Sequence, residues 1–545
     1  AVADAGVLRI VSSHEATLSG TPGAASIALD GSQGTITFTG DAAATNGLST
    51  TAGVNHIEFR ENLTVSGAVA QFTNAGDLTL GVDGDADVFT FDAGIDATGV
   101  GGEVLLNGQI ITNGADLELA DVRLGQATEL DSDGGALTFG TVLGEGLPLV
   151  LDAGTGDLNG TSIENVTTLE LRDARAATIA GDVEATTSID LNGTQDGLYR
   201  VGGRVETLAL TTDVGGGDGQ FSLALDGGVR ITDPVVFDNA GALTLDGTTA
   251  AQQYDGGLDT TGATPGPGQA VTLLGSIETD AADVLLGDVT LGDDTTVVTG
   301  GGAVGGIAGS GGDETGLITS GTNALTLDAG AGAIAVTSFV GGGDLILVDS
   351  SGTTFSGPVL AQDVDLQDTT GTVSFAGTGN EFSGSLETAG AGLRLSLPGT
   401  TAVADASTFA HGDGGFLGDE ASDVFTFAGG VNTTAVATTD TAGTELTLFG
   451  TLATDGTPLT LGPVTLAGAS VLETGGGNLT LADALGIDAA GNALTLNGGA
   501  GGVLSLSTLR DGAMGPGGPL TIEESGSTTF TGDVTATAVT LAATS

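Results

Sequence analysis

One short signature recurs four times in this chain, and it restricts the fold more than any other feature. It reads as an apolar-polar-apolar triplet, a Thr-x-(Ser/Ala/Thr)-Gly corner and a second triplet. The first copy is Leu8-Arg9-Ile10, Thr17-Leu18-Ser19-Gly20 and Ile27-Ala28-Leu29. The second is Leu169-Glu170-Leu171, Thr178-Ile179-Ala180-Gly181 and Ile189-Asp190-Leu191. Leu345-Ile346-Leu347, Thr354-Phe355-Ser356-Gly357 and Val364-Asp365-Leu366 make the third, and Leu520-Thr521-Ile522, Thr529-Phe530-Thr531-Gly532 and Val539-Thr540-Leu541 the fourth. The corner glycines fall 161, 176 and 175 residues apart. A long period built from strand-sized pieces is the mark of an array or solenoid.

Between these landmarks the texture is uniform. Triplets such as Leu78-Thr79-Leu80, Leu117-Glu118-Leu119, Leu243-Thr244-Leu245, Leu325-Thr326-Leu327, Leu479-Thr480-Leu481 and Leu494-Thr495-Leu496 recur throughout. Alternation with threonine on one face reads as a half-buried strand. Asn107-Gly108, Asn192-Gly193, Asp246-Gly247, Asp455-Gly456 and Asn497-Gly498 stand between triplets and supply the backbone freedom that sharp corners need. No window carries a sustained helical stripe, so the chain is expected to be all-β.

Two further markers place the copies. Leu149-Val150-Leu151-Asp152-Ala153-Gly154 returns as Leu325 to Gly330 and as Leu494 to Gly499, and Asp87-Val88-Phe89-Thr90-Phe91 returns as Asp423 to Phe427. The copies are drawn at 1–161, 162–337 and 338–512, with a partial fourth at 513–545, as one continuous solenoid without linkers. Two folds compete. In a parallel β-helix each triplet stacks on its counterpart one turn later at about 4.8 Å. In tandem antiparallel β-sandwiches, Asn-Gly as at Asn107-Gly108 would close hairpins. Aromatic residues make up only 4% of the chain, too few for the usual sandwich core, and the strands are triplets. The expectation is a β-solenoid of about 25 short turns, at roughly 20–25 residues each.

Composition enters here. The net charge is −59, yet mean hydropathy is positive at +0.28. A disordered acidic chain lacks the apolar residues for a core, and this one does not. Such a charge excludes nucleic acid, whose phosphates need basic partners. It favours self-repulsion at low salt and a cloud of cations, which a saline or calcium-containing medium would screen. All ten basic residues are arginine and there is no cysteine, so neither disulfides nor lysine cross-links staple the fold. No apolar run is long enough to span a membrane as a helix. The chain starts at Ala1 without an initiator methionine and is read as a processed or excised product.

Ala324 to Gly332, Thr353 to Gly357 and Asp288 to Thr296 carry a likeness to a known group. Along its length the chain resembles bacterial filamentous-haemagglutinin-like and giant β-strand-repeat surface proteins. The resemblance implies a secreted, right-handed β-helix with an extracellular role in adhesion, matrix or cell-surface architecture, and no catalytic residues.

Candidate sites are few. Asp83, Asp85 and Asp87 form a D-x-D-x-D run of the kind that opens a calcium loop, but Val88 and Gly94 stand where such a loop needs glycine and glutamate. Asp413, Asp419 and Asp423 are their nearest counterparts in the third copy, with Glu420 between them. Calcium is the one cofactor these suggest, against solvated acidic turns; none is required. His14, His56 and His411 are expected at the surface. Arg172, Arg175, Arg200 and Arg204 are expected to pair with Asp173, Asp196 and Glu206, or to offer a patch for surface glycans. Acid chemistry needs two carboxylates at a set separation, and in a chain this acidic their presence discriminates nothing. The function expected is therefore structural: a cell-surface fibre, stalk or matrix component whose repeats stack end to end or continue a longer repeat chain. An adhesin of the same fold and a carbohydrate-active β-helix enzyme are the alternatives.

Overall fold

Why triplets suffice as strands is clear from the coil they build. In this computed structural model every strand pairing among the described residues is parallel, and the chain is an all-β solenoid of about 23 turns. The structure describes residues 5–82, 87–212, 221–263, 270–306, 316–436, 445–482, 486–510 and 518–542. Contacts divide the chain into two units, Ala1–Thr272 and Leu273–Ser545.

In the first unit a coil consists of three strands. Leu78–Leu80, Val88–Phe91 and Ile95–Ala97 are followed one turn later by Val104–Leu106, Gln109–Ile111 and Leu117–Leu119, each lying on its predecessor. Val104–Leu106 and Gln109–Ile111 flank Asn107-Gly108 and do not pair with one another, so this Asn-Gly turns a corner instead of closing a hairpin. Gly108 has φ +128°, and a Cβ there would stand 2.3 Å from the Asp87 carbonyl oxygen, which forces glycine. Neighbouring coils also approach closely at Gly156, where a Cβ would lie 1.9 Å from the Gly135 oxygen.

Alternation sends every second residue inward, and parallel register turns those residues into columns. One runs Ile36, Ile57, Leu78, Val104, Val122, Val142, Ile163, Val183, Val205 and Val229, each at most 2% exposed. Steps of 18 to 26 residues separate Leu78 to Val229. The column then reaches Gln252, whose buried carboxamide donates to the Leu225, Gly227 and Asp246 carbonyls and accepts from the Tyr254 hydroxyl. Phe38 and Phe59 stack at 4.5 Å, and Phe72 and Phe91 continue edge to face. The second unit repeats the scheme through Leu345, Val364 and Leu386, then Val431, Leu459, Leu479 and Leu504.

Corners use aspartate in one repeated way. A carboxylate oxygen accepts the backbone N–H of the next coil from Asp116 to Ala136 (2.9 Å), Asp121 to Thr141 (2.8 Å) and Asp182 to Arg204 (2.8 Å). In the second unit Asp283 does so with Ala303 (2.8 Å), Asp294 with Ala324 (2.8 Å) and Asp363 with Ser385 (2.6 Å). Lysine offers no acceptor and could not replace these side chains.

Two substitutions separate core from corner. Phe59→Ala removes the middle ring of a buried stack and should cost about 3–5 kcal/mol in urea unfolding. Asp116→Ala should cost about 1 kcal/mol, the scale of a lost cap, and Asp116→Asn much less because the acceptor survives. Equal losses for the alanine and asparagine variants would refute the clasp.

Candidate functional site

The first and last described strands are each paired on one side. Val539–Leu541 lies on Leu520–Glu524 with Leu520 opposite Val539 and Ile522 opposite Leu541. That register points Val539 and Leu541 inward, yet they are 56% and 64% exposed where Leu520 and Ile522 are 1% and 2% exposed. The far side of Val539–Leu541 has no strand partner among the described residues. Similarly, Ala5–Ile10 pairs only with Gly23–Leu29, and its inward Leu8 and Ile10 stay half-buried over the fully buried Ile27 and Leu29.

The acidic candidates do not assemble into one site. Asp83 and Asp85 lie outside the described residues. Asp87 is buried and receives the Val82 N–H at 3.4 Å. Asp423 folds back on its own turn, accepting the backbone N–H groups of Asp419 at 3.0 Å and Glu420 at 2.8 Å, while Asp413 lies in the turn before Gly415–Leu417. Among the described residues no three His, Asp or Glu side chains are grouped as metal ligands.

The arginines pair across coils more than along the chain. Arg204 meets Glu206 at 2.7 Å as expected, but Arg175 takes Asp157, Arg200 takes Asp226, and Arg172 reaches both Glu170 (3.0 Å) and Glu129 (2.5 Å). Glu129 also accepts from Gln109 at 2.9 Å beside an open groove of about 460 Å³ that includes Gln126 and Pro148. The polar groups there are already engaged with one another.

Histidines divide. His14 and His56 are exposed, and His56 receives the Asp77 N–H at 3.0 Å. His411 corrects the expectation of a surface residue: it is 1% exposed, with Nδ1 2.7 Å from the Thr388 hydroxyl and Phe409 beside it. Its Nε2 is buried without a hydrogen bond of ordinary geometry. Ser407, Phe409 and His411 share one parity and all face inward, a signal present in the sequence. Burial pushes the His411 pKa down to about 4, and the Gly414 backbone only partly opposes this.

In the first unit Asp131, Asp152 and Asp173 occupy one register position on successive coils. Burial and then the neighbouring Asp152 carboxylate raise the Asp131 pKa; burial, with Asp173 contributing, raises that of Asp152.

No protein-family model, no curated protein and no solved structure matches this chain.

These groups give opposed pH effects. A depressed histidine pKa means the unfolded chain takes up the proton first, so His411 contributes stability above about pH 6.5 that is lost towards pH 4, about 3 kcal/mol in all. Asp131 and Asp152 have raised values, so the folded state holds their protons more tightly and their contribution to stability grows as pH falls through their folded pKa values. Urea titrations from pH 7 to 4 should show His411→Gln losing less than the parent, and Asp152→Asn losing the acid-side gain. Parallel curves for parent and variants would contradict both assignments.

Proposed function

We propose that this chain is a structural protein, one stretch of an extracellular fibre, stalk or matrix that acts by length and stiffness through end-on stacking of solenoid coils. The parallel register carries the proposal, because each described coil is built to be covered by a further coil of the same kind, with aliphatic residues lying on aliphatic residues from turn to turn. The partner such a coil calls for is one more parallel coil, supplied by continuation of the same chain or by a second copy. A coil edge joined to the opposite edge of another copy makes a heterologous contact that does not close, hence a filament. Covering Val539 and Leu541 would return about 1.5–3 kcal/mol each.

The expected alternatives draw less support. The glycan-binding reading rests on Arg200 and Arg204, whose guanidinium groups are already taken up by Asp226 and Glu206. A reaction needs a local departure from the repeat at the surface, and the described departures, Gln252 with Tyr254 and His411, are buried.

The test is assembly. Negative-stain electron microscopy and sedimentation velocity should show concentration-dependent linear association, abolished by Val539→Asp with Leu541→Asp while the melting temperature stays within a few degrees. Parent chains that remain monomeric at every concentration, or double variants that still polymerise, would overturn end-on stacking.

A further inference from the structure

In-register stacking repeats side chains of like charge as faithfully as apolar ones. Asp131, Asp152 and Asp173 form a three-coil ladder, the last step following a one-residue register shift, and Asp96 stands opposite Glu118, Glu170 opposite Asp190 and Glu184 opposite Glu206 in the first unit. In the second unit Asp328 meets Asp349 and Asp365 meets Glu387. Like charges directly opposite on neighbouring strands destabilise a sheet.

Relief from within the chain is nearly exhausted. There is no lysine, and nine of the ten arginines are already ion-paired. Nor can the carboxylates simply be dispensed with. Asp131 accepts the Asp133 N–H at 2.9 Å and Asp152 the Gly154 N–H at 3.0 Å, each shaping its own corner.

We propose that the solenoid is built for a strongly saline medium, in which mobile cations, and no specifically bound ion, offset the repulsion between stacked carboxylates. The decisive comparison is one of lengths. Stacked charges sit about one strand spacing apart, roughly 4.8 Å, whereas the screening length is about 10 Å at 0.1 M salt and about 3 Å at 1 M. Ordinary ionic strength leaves the rungs unscreened, so stabilisation should continue well beyond the concentrations at which surface ion pairs have lost their effect. The raised proton affinities of Asp131, Asp152 and Glu387, each with burial as the larger cause and a neighbouring acid contributing, agree with repulsion that Arg172, beside Asp152 and Glu170, offsets only in part. This inference is independent of end-on stacking, since it concerns contacts inside one chain.

Thermal unfolding of the full chain in 0.02 to 2 M NaCl is the experiment, alongside Asp131→Asn with Asp152→Asn, which keeps both corner acceptors and removes two charges. The parent midpoint should rise by on the order of 10 °C between 0.15 and 2 M. The double variant should be the more stable of the two at 0.02 M, with a shallower salt slope. A midpoint that levels off by 0.15 M, or equal slopes for parent and variant, would overturn the proposal. Stabilisation by CaCl2 that saturates below a few millimolar and is reversed by a chelator would overturn it in favour of a discrete ion site.

Discussion

Parallel in-register stacking is the constraint from which the rest follows. When each coil lies on the last with only local shifts in register, a residue meets its own counterpart above and below, and most choices of side chain are repeated along a column. Aliphatic columns gain by this, since Val104, Val122, Val142 and Ile163 each find neighbours of similar shape and almost no water. Corners gain too, because glycine at Gly135 and Gly156 lets the coils approach closer than any Cβ would allow. Charges lose, because Asp152 between Asp131 and Asp173 has a like neighbour on both sides. The same rule that builds the core creates the electrostatic difficulty at the surface.

The acidic composition then has a structural origin in part. Aspartate has a short side chain with two acceptors, and at Asp116, Asp182 and Asp294 it reaches the backbone N–H of the coil one turn on. Those N–H groups lie where the strand ladder breaks for a turn, and each needs an acceptor from somewhere. Asparagine does the same work at Asn62, which receives the Val88 N–H at 2.9 Å. A chain that turns a corner three times per coil gathers such acceptors quickly, and most of them carry charge.

Much of the fold was legible because its logic is periodic. Leu-Thr-Leu triplets gave strand, face and spacing together, and the scarcity of aromatic residues separated a thin coil from a sandwich. The turn count is about 23 rather than 25, and the sequence step between paired residues reaches 29, as from Val289 to Ile318. What was not legible is whatever depends on the partner one coil away. Arg175 finds Asp157 and Arg200 finds Asp226 at separations of 18 and 26 residues, which no local pairing rule anticipates, whereas Arg204 and Glu206 stand two residues apart and their pairing is legible in the sequence. His411 was missed for a different reason. A lone histidine suggests surface, but its parity with Ser407 and Phe409 places it inside.

The polar residues that break the pattern bear on function by where they sit. Gln252 ends an aliphatic column by satisfying three backbone carbonyls and Tyr254, and His411 fills an inward position beside Thr388 and Phe409. Both are fully enclosed, so neither can meet a substrate, and each serves to fix the path of its own coil. On the outside the repeat runs on through threonine, aspartate and glutamate, several of whose oxygens accept backbone N–H groups of the next coil. Inward positions, aliphatic or polar, are covered by the coils on either side of them.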